Sequence, residues 1–289
     1  MMVAACTAAT SVGAASPPRR NDVTSKTALV TGCSSGIGRA TALELRDRGY
    51  DVVATARRPE QLAGLGVART LALDVDDDAS VAAAADEVGA VDVLVNNAGF
   101  GLDGAVETVP LADVRRMFET NFFGAARMIQ AFLPAMRERG SGAIVNVTSV
   151  AGIAAGPLSG YYAAAKFALE ALSEALYLEV GHFGVRVIII EPGAIETSFG
   201  ANLIDHRDEP GPYLPLASIW SAAMEQLGGG LPTPGPRLVA SAIAEALSTA
   251  QPRLRVPVGT DAELVAAARN PIAYEEFETA MRKTLNVDW

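Results

Sequence analysis

The sequence predicts an α/β protein: a doubly wound parallel sheet in a single domain, with an inserted lid. Three observations carry that prediction. Short, wholly apolar runs recur without polar alternation, as strands do when helices cover both faces of a parallel sheet. Segments of helical character separate these runs, which gives the strand–helix alternation of a doubly wound sheet. Aromatic residues make up only 6% of the 289, while Ala, Val and Gly abound, a composition that suits helices packed closely on a sheet better than a β-sandwich.

The elements follow in order from Thr27. "TALVTG" is a short apolar strand running into glycines, and "IGRATALELRDRG" is a helix closed by Gly49. "DVVATA" and "TLALDV" read as the next two strands, "DASVAAAADEVG" as a helix and "VDVLVNN" as a buried strand. Two helices are expected over residues 111–120 and 122–139, before the strand "GAIVNVTS". A helix beginning near Tyr161 leads into "VRVIIIEP", the most strand-like run in the chain. No linker divides residues 27–197.

Residues 198–236 break the rhythm. They hold "DEPGPYLP", an amphipathic piece "LASIWSAAMEQL", and Gly228-Gly229-Gly230 among prolines, which reads as a hinge or loop. Phe199, Leu203, Ile204, Tyr213, Leu214, Leu216, Ile219, Trp220 and Met224 make this segment a greasy cover for a pocket, or a face packed on the domain or on another subunit. A helix "RLVASAIAEAL", a strand "RLRVPVG" and two C-terminal helical pieces complete the domain, which spans residues 26–289. Residues 1–25 read as a tail of small residues: Arg19 and Arg20 follow the apolar stretch instead of preceding it, the wrong order for an export signal.

Composition excludes several function classes. A net charge of −10 argues against a nucleic-acid partner, because phosphate backbones need a basic face. Cys6 and Cys33 are too few for a disulfide framework, and a reducing cytoplasm is the expected setting. His182 and His206 lack clustered metal-ligand spacing, so no metal site is expected. No apolar run is long enough to cross a bilayer.

Chemistry enters at three places. "TGCSSGIGRA" sets Gly32, Gly36 and Gly38, with Ser34, Ser35 and Ile37, between the first strand and the first helix. Glycines there permit a tight turn, admit a pyrophosphate to backbone N–H groups and keep the helix against the sheet. The second strand then ends in Arg57 and Arg58, where an NAD site usually carries an acid for the ribose 2′-hydroxyl. Two guanidiniums suit the 2′-phosphate of NADP; the alternative is a surface loop that opens with two solvated arginines. Third, Tyr162 stands four residues before Lys166, an offset of about 40° on a helix, whereas Tyr161 is rotated away. An ammonium near Tyr162 is expected to lower its pKa and fit it for proton transfer; a solvated Tyr–Lys pair is the bland alternative.

"TGCSSGIG", "NNAG" from Asn96, Ser149 thirteen residues before Tyr162, Tyr162-x-x-x-Lys166 and "PGAIET" from Pro192 occur in that order. Together they resemble the short-chain dehydrogenase/reductase family in its single-domain, Rossmann-type form, over about residues 26–260. The resemblance implies NADP(H)-dependent interconversion of a carbonyl and an alcohol, with Tyr162 as general acid/base, Ser149 bonded to the same oxygen, and Lys166 acting on the tyrosine and the nicotinamide ribose. It makes Asn121 the fourth catalytic residue, serving a water chain to the lysine; a helix cap is the alternative. It sets Asp74 and Val75 beside the adenine, Asn97, Ala98 and Gly99 at the sheet edge and adenine ribose, and Pro192, Gly193, Ile195 and Thr197 along the nicotinamide. Thr148 departs from the usual serine. "RLRVPVGTDA" and "VVATARRPEQL" look most like the hydroxysteroid and retinol dehydrogenase branch, which implies a lipophilic substrate and a homodimer or homotetramer. Two rivals are weaker: for a Ser/His hydrolase the one G-x-S-x-G match, "GCSSG", has its serines in the phosphate-type loop and His182 has no obvious acid partner, and a non-catalytic NADP(H)-binding sensor would not be expected to keep Ser149, Tyr162 and Lys166 all together.

Overall fold

The structure, a computed structural model, describes residues 25–227 and 232–269, together with positions 276 and 279. Gly228–Gly230, most of the tail and the second C-terminal helical piece lie outside the described residues.

Strand β1 (Thr27–Val30) leads into helix α1 (Gly36–Asp47), followed by β2 (Asp51–Ala56), β3 (Arg69–Ala72), α2 (Asp78–Val88) and β4 (Val93–Asn96). Next come β5 (Leu102–Asp103), α3 (Leu111–Phe118), α4 (Ala125–Arg139), β6 (Gly142–Val147), α5 (Gly160–Val180) and β7 (Val185–Pro192). The chain continues through β8 (Ile204–Asp205), α6 (Leu214–Leu227), α7 (Arg237–Ser248), β9 (Arg255–Val258) and α8 (Thr260–Arg269).

Seven strands form one parallel sheet in the order β3-β2-β1-β4-β6-β7-β9. Period-two alternation sends Val30, Val95, Val145 and Ile188 to a core shared with α7, while Leu29, Leu94, Ile144 and Ile189 pack with Met128 and Phe132 on the opposite face. Both faces are therefore buried, which is why the strands read as unbroken apolar runs. The strand order reverses between β1 and β4, so a crevice opens at their carboxyl ends, where open α/β sheets bind ligands.

Two details differ from the sequence reading. The expected pair of helices is one helical run: α3 passes through a π-turn, Glu119–Gly124, directly into α4. Asn121 does not cap a helix there, because its side chain is bonded to the Phe100 backbone instead. A second sheet, in which β5 pairs with β8, was not anticipated; two-residue strands carry no period to detect.

This small sheet fastens residues 198–227 to the domain. Arg207 reaches Asp103 at 3.3 Å and Asp205 at 2.6 Å, the Tyr213 hydroxyl donates to Glu107, and His206 stands between Asp113 and Glu209. No helix among the described residues is long and apolar enough to cross a membrane.

Candidate active site

The loop from β1 to α1 is built around close approaches. Gly32 and Gly36 have φ of 74° and 55°, in the left-handed region that favours glycine. A Cβ at Gly38 would lie 2.3 Å from the Gly32 carbonyl oxygen and 2.4 Å from Asn97 Nδ2, so any larger residue would force α1 off the sheet. Asn97 in turn donates to the Thr31 carbonyl at 2.9 Å and locks β4 to the loop. Ser35 occupies the N-cap of α1 without a side-chain cap bond, and the first turn contains no acid. Its orphan N–H groups and two serine hydroxyls thus form an anion site without a resident anion of the protein's own.

At the end of β2, Arg57 and Arg58 are exposed, line the same cleft and form no ion pair among the described residues. Asp74 and Val75 face them across the cleft wall. Asp74 accepts from the Asp76 N–H at 3.2 Å, while Asp76 accepts from the Thr120 hydroxyl at 2.8 Å. Asp76 Oδ1 is buried without a partner, and burial raises its carboxyl above the ordinary range against the pull of Thr120. Sequence reasoning passed over Asp76, Gln61, Phe100, Arg116 and Thr120, all of which line the cleft. In "DVDDDAS" the second acid, Asp76, looks like solvated surface, and only its proximity to Asp74 could have marked it.

The other end of the cleft gathers Ser149, Tyr162 and Lys166. Ser149 follows β6 and accepts from the Ala151 N–H at 3.1 Å, which leaves its own hydrogen free to donate into the cleft. Lys166 Nζ donates to the Val147 carbonyl at 3.0 Å and lies 5.8 Å from the Tyr162 ring centroid. Tyr161 turns elsewhere and donates to the Val106 carbonyl at 3.0 Å. Phe199, from the segment after β7, meets the Tyr162 ring edge-on at 5.9 Å.

The electrostatics correct one expectation. Tyr162 is not lowered by Lys166: burial pushes its phenol up to about 12, the Ser149 hydroxyl is what pulls it down, and the Asp103 charge adds to the rise. Burial also brings Lys166 down to about 8, opposed by the charge of Glu170. Desolvation favours the neutral form of each and is the largest cause for both.

Asn121 and Gly38 stand behind the cleft and do not line it. Asn121 Oδ1 accepts from the Phe100 N–H at 3.0 Å and its Nδ2 donates to the Phe100 carbonyl at 2.9 Å, so its side chain braces the backbone just after Gly99. Pro192, Gly193, Ile195 and Thr197 form the wall beyond β7, with Thr197 against Gly36. Asp261, which the sequence did not single out, holds this wall by accepting from the Ala194 N–H at 2.7 Å. The whole is one continuous cleft of about 1220 Å³ from Arg58 to Phe199. Its anion site, cationic rim and apolar far end fit a dinucleotide cofactor.

The model of the short chain dehydrogenase family matches residues 26–208. A 3-ketodihydrosphingosine reductase of Bacteroides thetaiotaomicron is 36% identical over 239 residues, covering 80% of this chain and 87% of the relative. Retinol dehydrogenase 8 of Bos taurus is 37% identical over 252 residues and 80% of each chain. The crystal structure of a short-chain dehydrogenase from Streptomyces avermitilis superposes with a TM-score of 0.76 at 36% identity, covering 92% of this chain and 99% of the other.

Proposed function

The chain belongs to the short-chain dehydrogenase family, oxidoreductases that interconvert carbonyls and alcohols, and from that premise we propose an NADP(H)-dependent enzyme acting on a lipophilic ketone or aldehyde with Tyr162 as general acid/base. The observation that supports it is the convergence of Ser149, Tyr162 and Lys166 at one end of a cleft whose other end carries two unpaired arginines.

Bound NADPH supplies the hydride that reaches the carbonyl carbon. Ser34, Ser35 and the α1 N-terminus would hold its pyrophosphate, and Arg57 and Arg58 its 2′-phosphate. Asp74, Val75 and Ala98 would serve its adenosine half, and Pro192, Gly193, Ile195 and Thr197 its nicotinamide half. At the reacting centre, the carbonyl oxygen accepts from the Ser149 hydroxyl, which polarises the bond toward its carbon. As the π pair moves onto oxygen, Tyr162 Oη delivers its proton there and an alcohol results. Lys166 faces the phenolate left behind, and its charge offsets the one that forms. Asn121 contributes through Phe100, keeping the strand end beside Gly99 in place.

Phe100, Phe199 and Ile204 surround the space next to Tyr162, which favours an apolar substrate. The names of two relatives point the same way, one to 3-ketodihydrosphingosine and one to retinol.

The deciding experiment offers NADPH and NADH in parallel with a panel of hydrophobic ketones and aldehydes. NADPH-dependent reduction is expected, with Arg57→Glu raising the KM for NADPH at least tenfold while sparing NADH, since each charge-assisted bond lost is worth about 1.5–3 kcal/mol. Turnover of neither cofactor with any carbonyl would overturn the catalytic reading. Equal losses with both cofactors would overturn the arginine assignment.

A further inference from the structure

Below Tyr162 and Lys166 lies a buried group that the reaction as written leaves unused. Glu170 stands one turn beyond Lys166 on α5, and both are enclosed: Lys166 keeps 5% of its surface and Glu170 3%. Glu170 Oε2 meets the Arg255 guanidinium of β9, which also holds Glu191 of β7 and Glu174 of α5, each at 2.6 Å. Three carboxyls thus share a single guanidinium. Glu170 Oε1 is buried with no hydrogen-bond partner, against the bare backbone of Gly152, where a Cβ would stand 3.2 Å from it. Lys166, for its part, donates only to a neutral carbonyl, that of Val147. An ammonium so enclosed is costly unless negative charge lies within reach.

We propose that Glu170 is a positioning residue for Lys166: anchored by Arg255 one helical turn away, it supplies the negative charge that keeps the buried amine an ammonium. This rests on the carbonyl–alcohol reading above, in which that ammonium faces Tyr162. The groups facing the pair are Tyr162 and Glu174 from α5, Glu191 from β7, Arg255 from β9 and the Thr148 hydroxyl after β6. The Thr148 hydroxyl, which donates to the Ile190 carbonyl at 3.0 Å, also favours the Glu170 carboxylate. Burial, reinforced by the charge of Glu191, holds the Glu170 carboxyl well above the ordinary carboxylate range. The charge of an ionised Glu170 opposes the loss of the Lys166 proton.

The chain contains only three lysines, Lys26, Lys166 and Lys283, so 13C labelling at lysine Cε resolves each one by NMR. In the wild type the Lys166 signal is expected to titrate at a higher pH than in a variant without the Glu170 charge. Glu170→Gln keeps the shape and an acceptor for Arg255, and is expected to lower the Lys166 midpoint by about one pH unit, a tenfold change in proton affinity. The alkaline limb of NADPH-dependent reduction moves with it. Glu174→Gln takes charge from the same guanidinium at a position 36% exposed and is expected to shift neither. A Glu170→Gln variant that loses thermal stability while its Lys166 midpoint stays put would leave Glu170 a mere brace and overturn the proposal. A protein that reduces no carbonyl would refute the functional reading alone, because the Lys166 titration is read without turnover.

Discussion

Exchanging Tyr161 and Tyr162 one at a time for phenylalanine removes the same oxygen from neighbouring residues, with unequal consequences. Tyr161 spends its hydroxyl on the Val106 carbonyl at 3.0 Å, at an exposed contact outside the cleft. Losing that bond costs at most about 0.5–1.5 kcal/mol of stability and leaves turnover within about twofold. The Tyr162 hydroxyl is the proton source in the proposed step. Removing a positioned general acid slows the reaction about 10²–10⁴-fold, or about 2.7–5.5 kcal/mol of barrier. The ring stays, and with it the edge-on contact to Phe199 at 5.9 Å, so NADPH affinity and melting temperature should change little. Initial rates of NADPH oxidation, a fluorescence titration of NADPH and a thermal melt on both variants separate these effects. Tyr162→Phe retaining more than about a tenth of wild-type turnover would refute the assignment. So would Tyr161→Phe proving the more damaging change.

Three further outcomes are expected. Gly38→Ala puts a Cβ 2.3 Å from the Gly32 carbonyl oxygen, which should cost about 1–3 kcal/mol of stability and weaken NADPH binding at least tenfold; wild-type melting and affinity together would show that the loop yields freely. His206 is raised above its ordinary 6.5, chiefly by Glu209 and also by Asp113. A raised folded-state value gives stability that is full below 6.5 and fades as pH climbs through it, so His206→Gln should lower the melting temperature at pH 6 and little at pH 9. Equal losses at both would remove the charge from that account. Burial pushes the Cys33 thiol up to about 12, and the Val30 carbonyl is its acceptor at 3.2 Å. In a Cys6→Ser background a thiol reagent at pH 8 should therefore find nothing until denaturant is added, and rapid labelling would mean that the glycine loop opens readily.

The sheet was legible because a strand covered on both faces needs only to be short, apolar and followed by a turn or helix, and "TALV", "VDVLVN" and "VRVIIIEP" meet that condition without help from elsewhere. Asn121 marks where local reading fails. Asparagine followed closely by Gly124 looks like a helix boundary, yet the helix runs on, because the Asn121 amide is satisfied by Phe100, twenty-one residues away. Asp261 was missed for a similar reason: its partner, Ala194, lies 67 residues back in the chain. The positions of Tyr162 and Lys166 followed from helix spacing alone. Their ionisation did not, since enclosure by β6, by the residues after β7 and by Phe199 sets it, and no window around "YYAAAK" contains those groups.

Burial affects the two members of that pair differently in function, although it drives both toward neutrality. A neutral phenol is the form that can give a proton to a carbonyl oxygen, so a rise to about 12 leaves Tyr162 loaded for reduction. A neutral amine at Lys166 would do nothing for the phenolate that remains, so its fall to about 8 works against the same step. The demand on the surrounding structure therefore falls on the lysine. Its direct partner, the Val147 carbonyl, is a dipole, and Asp103 bears negatively on Tyr162. Glu170 is the group whose charge favours the ammonium, and it is also the one that Arg255 ties to two strands of the sheet. In the proposed reaction the acid is kept protonated by exclusion of water and the cation is kept charged by the Glu170 carboxylate, two separate devices that Tyr162→Phe and Glu170→Gln would take apart independently.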